Sequence, residues 1–234
     1  MTEVWIWART ARAASFQVRF GLAANALTET SPAEATQAEQ DNAAWLKLGG
    51  LMPGTRYYYQ VGENGGGFQT LPSPEDYRDA ETNPRGLFNF SFQFGSCADQ
   101  KVGGALGATL PAYKTMLRQH GKKTLFSIMN GDWVYEEKRD YSVAQWREQC
   151  GLREAQTPLI VRQAPSITGV WENFKLYLDR GKAMAAWHRE VPGYFTPDDH
   201  EILNDVYGTG TRGIKTQQAV FRDIALRGWY DYIA

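Results

Sequence analysis

Three short segments hold the residue types that could do chemistry together. In Leu125-Phe-Ser-Ile-Met-Asn-Gly-Asp-Trp-Val-Tyr-Glu136 an apolar run stops at Gly131-Asp132, with Tyr135 and Glu136 at the third and fourth positions after the aspartate. A short apolar run reads as a strand buried on both faces, and in open α/β sheets the chemistry sits just beyond the carboxyl ends of such strands. One loop thus offers a carboxylate, a phenol and a second carboxylate to the same space. Oxygen donors crowded in this way repel one another unless a hard cation sits among them. Gly-Asp is also ordinary turn punctuation, so this segment alone reads as well as a strand ending in a turn.

The second segment, Phe88-Asn-Phe-Ser-Phe-Gln-Phe94, alternates strictly before Gly95-Ser-Cys-Ala-Asp99 breaks it and leaves Cys97 at a strand end. The third, Val191 to Asp205, brings Asp198, Asp199, His200, Glu201, Asn204 and Asp205 directly after an apolar element. A solvated loop could carry any one of these clusters. Three of them at strand ends are harder to explain that way.

The elements that must position these groups follow from the patterning. Val4-Trp-Ile-Trp7 and Ser15-Phe-Gln-Val-Arg-Phe20 have the period of half-buried strands and suggest a hairpin-like pair. Ala44–Leu48, Leu51–Val61 and Gly66–Pro72 continue as short strands, a spacing that suggests a sandwich over residues 1–75. A stretch rich in Pro, Asp, Glu, Asn and Arg follows, giving a linker at 76–87 and a second domain at 88–234. There the order is strand, helix around Lys114–Lys123, then the Leu125 strand. That order favours an α/β unit whose neighbouring strand ends bring Cys97 close to Asp132. Tyr141–Gln149 reads as helix or excursion, Ala164–Trp171 as a further short strand, and Lys182–Glu190 as a helix.

Composition narrows the function classes. Of 234 residues, 43% are hydrophobic and 13% aromatic, enough for a packed core. Twenty-five basic against 26 acidic residues leave a net charge of −1, so bulk charge gives no nucleic-acid or anionic-membrane signal. No apolar run reaches transmembrane length, and the Met1-Thr-Glu-Val-Trp-Ile-Trp7 start lacks a signal peptide's basic start and apolar core. The protein is therefore expected to be cytoplasmic, or exported with its leader removed. Cys97 and Cys150 cannot build a disulfide framework, although one bridge between them is open.

Leu51-x-Pro-x-Thr-x-Tyr57-x-Tyr59-x-Val61 resembles the tyrosine-corner strand of a fibronectin type III-like domain, and Phe68-Gln-Thr-Leu-Pro72 its final strand. With Phe94-Gly-Ser-Cys97, Gly131-Asp-Trp-Val-Tyr-Glu136, Asp198-Asp-His-Glu201 and Asn204-Asp205 in that order, the chain resembles the alkaline phosphatase D (PhoD-like) branch of the calcineurin-like metallophosphoesterases. The resemblance implies a fibronectin type III-like β-sandwich followed by a metallophosphoesterase α/β sandwich, β + α/β in class. It implies a metal-dependent hydrolase acting on a phosphate ester. Cys97 and Tyr135 are expected to bind iron(III), Fe3+. Asp132 is expected to bridge it to a second ion, commonly calcium, Ca2+, with other divalent metals admitted. Asp199 stands where the wider superfamily has a metal-binding Asn. His200 stands at its catalytic histidine, with Asp132 sharing the catalytic work and Glu201 expected to orient His200.

The resemblance also implies export, so a secreted or periplasmic location is expected. The family's later segments carry further His and Asp ligands, including a Gly-Asp-x-His motif that this sequence does not show, and no histidine follows His200. The chain is therefore expected to be the amino-terminal part of an enzyme, with a partial catalytic domain that is inactive alone. The alternative is a fibronectin-like binding module with a broken metal site. His120 and His188, in helical segments, are expected to be structural or surface residues.

Overall fold

The computed structural model describes residues 2–100, 110–206 and 215–233. Its amino-terminal region is formed by β1 (Val4–Arg9), β2 (Ser15–Phe16), β3 (Arg19–Gly21), β4 (Glu29–Thr30), β5 (Glu34–Ala35), β6 (Ala43–Leu48), β7 (Arg56–Val61) and β8 (Asn64–Gln69). The expected hairpin between the first two apolar runs does not form. β1 instead pairs antiparallel with β6, and β3 with β4 and β7. Alternation sets which face of a strand is buried; it carries no information on which other strand completes that face.

β7 and β8 close a four-stranded antiparallel sheet in the order β4-β3-β7-β8. Ile6, Val18, Phe20, Leu46, Leu48, Tyr57 and Phe68 are buried between the strands. The Tyr57 hydroxyl accepts the Met52 N–H at 3.0 Å. This ties the strand to the turn before it, the bond expected of a tyrosine corner.

The segment after β8 holds one short helix, α1 (Pro74–Tyr77), capped by Ser73. The second region contains β9 (Ser91–Gly95), α2 (Pro111–His120), β10 (Thr124–Asn130), α3 (Val143–Cys150), α4 (Leu159–Gln163), α5 (Ile167–Arg180), α6 (Lys182–Glu190), β11 (Gly193–Thr196) and α7 (Lys215–Tyr232). β10 lies between β9 and β11, parallel to both, with Phe126 beside Phe92 and Ile128 beside Phe94 and Tyr194.

Two readings need correction here. Residues 167–171 belong to α5, not to a strand, because Ile167, Val170, Trp171, Phe174 and Tyr177 recur at helical spacing and are all fully buried. β10 is not buried on both faces. Ser127 and Met129 face the interior, whereas on the opposite face the neighbouring Phe92 and Phe94 are 49% and 63% exposed. α3 begins with a reciprocal Ser142–Gln145 capping box, which fixes this polar segment as a helix.

Trp146, Trp171, Phe174, Tyr177, Met184 and Trp187 form the core of this region. At roughly 25 cal/mol per Å2 of apolar surface, each such side chain contributes on the order of 2–3 kcal/mol. The two regions meet around buried Asp41, which accepts from Trp146 Nε1 at 2.6 Å and from Arg9 Nε at 3.0 Å, and also from the Tyr232 hydroxyl. Trp7 Nε1 donates to the Asp231 carbonyl at 2.9 Å, and Arg56 pairs with Glu190.

Candidate metal and catalytic site

The ends of β9 and β10 are stitched together by backbone bonds: Cys97 N–H to the Gly131 carbonyl at 3.3 Å and Ala98 N–H to the Asp132 carbonyl at 2.8 Å. Both candidate residues have left-handed backbone, φ 58° at Cys97 and φ 56° at Asp132. For a non-glycine residue this costs roughly 1–3 kcal/mol and persists only where the surroundings enforce it. Gly131, φ 78°, has a second reason for lacking a side chain: a Cβ there would lie 2.3 Å from Asp198 Cβ.

At Asp132 the surrounding hold comes from Glu201. Its carboxylate, 1% exposed, accepts the N–H groups of Asp132 at 3.0 Å, Trp133 at 2.6 Å, Val134 at 3.3 Å and Asp198 at 2.8 Å. Burial raises its pKa, and these amide bonds oppose that rise. One side chain thereby joins the loop after β10 to the turn after β11. The expectation that Glu201 orients His200 is corrected accordingly. Glu136 does so, through Oε2 at 2.8 Å from His200 Nδ1, and its other oxygen accepts the Asn204 N–H. Sequence proximity favoured Glu201, but adjacent residues on a turn project in different directions. Arg139 Nη2 holds the same turn from behind through the carbonyls of His200, 3.2 Å, and Glu201, 3.1 Å. Burial lowers the Arg139 pKa to about 10.

All five candidate residues come together at Asp132. Its Oδ2 accepts from Cys97 Sγ at 3.2 Å and from the Tyr135 hydroxyl at 3.4 Å. Asp132, Asp199 and His200 each offer a ligand atom within 4.8 Å of the others. The Tyr135 and His200 rings lie 4.0 Å apart, centroid to centroid. Burial, then the Asp132 charge and the Cys97 thiol, hold the Tyr135 phenol well above its ordinary value. Burial pulls the His200 imidazole down, but the Glu136 hydrogen bond and charge outweigh it, with Asp132 and Asp199 adding to the rise, and the net direction is up. Both cysteines are free, Cys97 exposed and Cys150 buried, so the bridge between them does not form.

Whether these residues suit a cation can be judged from Asp132 Oδ1, which is buried without a hydrogen-bond partner among the described residues. A buried carboxylate oxygen left bare beside another carboxylate and an imidazole is costly, and a bound cation would remove that cost. Carboxylate, imidazole, thiol and phenol form a mixed hard and soft donor set that suits a transition metal as well as a divalent ion. His120 is exposed. His188 packs between Trp133, Tyr113 and Phe195, and its Nε2 accepts from Trp133 Nε1 at 3.2 Å; neither histidine belongs to the cluster.

The family profile described as PhoD-like phosphatase matches residues 92–233. The chain belongs to the PhoD-like phosphatase family. Residues 2–75 match the purple acid phosphatase N-terminal domain. A solved structure of PhoD superposes with a TM-score of 0.71 at 20% identity, over 99% of this chain and 43% of that one. This likeness supports the mixed sheet-and-helix fold, and the PhoD-like chain described here spans less than half the length of that structure. A Salmonella typhimurium protein described as an alpha amylase (12% identity, 99% and 40% of the two chains, TM-score 0.24) and a pullulanase from Bacillus acidopullulyticus (12%, 99% and 36%, TM-score 0.21) also match; scores this low carry no weight. No curated protein matches the chain. Among the described residues, no helix is long and apolar enough to cross a membrane.

Proposed function

We propose that this chain carries the nucleophile-activating end of a metal-dependent phosphoric ester hydrolase. The observation that supports the reading most is at Asp132, which groups a ligand atom within 4.8 Å of ones from Asp199 and His200 and whose buried Oδ1 has no hydrogen-bond partner among the described residues. Asp132, Cys97, Tyr135 and Asp199 are the residues to hold iron(III) and a second ion such as calcium. A metal bound there supplies charge for the phosphate oxygens and a water of lowered pKa.

The chain's own residues do the rest. Asp132 joins the thiol and phenol side of the site to the Asp199 side. Glu136 holds Nδ1 of His200, which leaves Nε2 to face the ester. His200 then carries the proton for the leaving alkoxide. Glu201 keeps the two loops at one separation by its amide bonds, so both sides of the site meet the same phosphate.

The domain division belongs to the same reading, with 1–75 as a fibronectin type III-like sandwich, 76–87 as linker and 88–234 as part of a metallophosphoesterase sandwich. Export of the source protein belongs to it as well. The test is release of nitrophenol from a nitrophenyl phosphate by the protein translated from its whole reading frame, with iron and calcium, with and without chelator. Chelator-sensitive turnover that is lost in Asp132→Asn supports the proposal, and turnover indifferent to both refutes it. Residues 1–234 alone are expected to turn over negligibly.

A further inference from the structure

Asn173 lies on α5, carries no motif and is fully buried. Its amide is spent on one loop. Oδ1 accepts the N–H of Glu137 at 2.8 Å and of Lys138 at 3.0 Å, and Nδ2 donates to the Tyr135 carbonyl at 2.6 Å. These three peptide groups bracket Glu136. On one side of the bracket the Tyr135 phenol reaches Asp132 Oδ2. Inside it the Glu136 carboxylate reaches His200 Nδ1.

Asn173 is thus the point at which a rigid core helix meets the loop that aims both groups. The helix is well suited to that task, since Ile167, Val170, Trp171, Phe174 and Tyr177 anchor it in the core. The loop itself has no regular structure between β10 and α3, so its peptide groups need partners from elsewhere.

We infer that Asn173 is a positioning residue of the site, setting Tyr135 and Glu136 against Asp132 and His200 through backbone bonds. It touches none of the reacting groups. The inference rests on the functional reading for its purpose, but its geometry can be tested without metal or substrate. The sequence has three histidines, so the imidazole proton NMR spectrum has few signals to assign. The His200 ring lies 4.0 Å from the Tyr135 ring and its signals carry that ring's current shift. Tyr135→Leu calibrates the shift by removing it.

In Asn173→Ala the His200 signals are expected to move at least half of the way to their Tyr135→Leu positions, while those of His120 stay in place. Val170→Ala, which opens a cavity on the same helix and removes no hydrogen bond to the loop, is expected to lower the melting temperature and leave His200 unmoved. Asn173→Asp keeps the size and Oδ1 but turns an oxygen toward the Tyr135 carbonyl. It should displace His200 as well, and it serves if the alanine variant does not fold. A folded variant with His200 at its wild-type position overturns the inference. So does failure of both variants to fold, which would assign Asn173 to global stability. If His200 moves as expected but the protein translated from its whole reading frame shows no chelator-sensitive hydrolysis, the positioning stands and the functional reading falls.

Discussion

Asp41 and Asp132 are both buried carboxylates with left-handed backbone, φ 52° and φ 56°, yet their surroundings are opposite. Asp41 sits where the two regions of the molecule meet, among Arg9, Lys175, Trp146 Nε1 and the Tyr232 hydroxyl. Its charge is compensated by two cations and two neutral donors. Asp132 sits at a strand end, with a weakly donating thiol and a phenol on one oxygen, no partner on the other among the described residues, and Asp199 beside it. The first arrangement stabilises a fold as it stands. The second sets one carboxylate beside another with only His200 as a nearby cationic group, an arrangement that a bound cation would stabilise. A buried charge therefore says little about role until its partners are counted.

The same isosteric change at both positions should break the pair apart. Asp41→Asn removes the charge opposite Arg9 and Lys175 and turns an NH2 toward donors. It is expected to cost on the order of 3–5 kcal/mol, measured by urea denaturation. Asp132→Asn should change stability by less than about 1 kcal/mol, because it relieves repulsion with Asp199 while weakening two poor hydrogen bonds. Equal losses at the two sites would sink the distinction.

The loop that carries Asp132 is also held from its apolar side, where Trp133 donates to His188. Burial lowers the His188 pKa to about 4, from an ordinary value of 6.5. A depressed pKa means that the neutral ring stabilises the fold at pH above 6.5, and that this stability is lost as pH falls through about 4. The loss is on the order of 3 kcal/mol. His188→Gln still accepts from Trp133, so the difference in denaturation free energy between wild type and variant should change across this window. A difference that stays flat from pH 7 to pH 4 rules the effect out.

In the whole source protein, Asp132→Asn should lower metal affinity by more than the roughly 10–100-fold typical for loss of an outer partner, as read by calorimetry. Wild-type affinity in the variant would show that Asp132 is no ligand. The smallest effect belongs to the amino-terminal region. Tyr57→Phe removes the bond to Met52 N–H and should cost about 1 kcal/mol without touching metal affinity. A change in metal binding there would couple the regions more tightly than their contacts imply.

The three strand-end clusters were legible in the sequence because residue type and abrupt pattern breaks mark them: Gly131-Asp132 after an apolar run, Cys97 after alternating phenylalanines, and Asp198 to Glu201 after Val191–Phe195. The α2, β10 and α6 segments were legible for the same reason, since their periodicity is local. Strand partners were not, because a strand's pattern names its buried face and leaves its neighbour open, as β1 choosing β6 demonstrates. The partner of His200, the fourfold amide clamp of Glu201 and the hold of Asn173 on the Tyr135–Lys138 loop were decided only by tertiary structure. The first joins two side chains 64 residues apart, and the other two join a side chain to distant backbone, whose groups are nearly the same at every residue, so no sequence pattern announces where they will be needed.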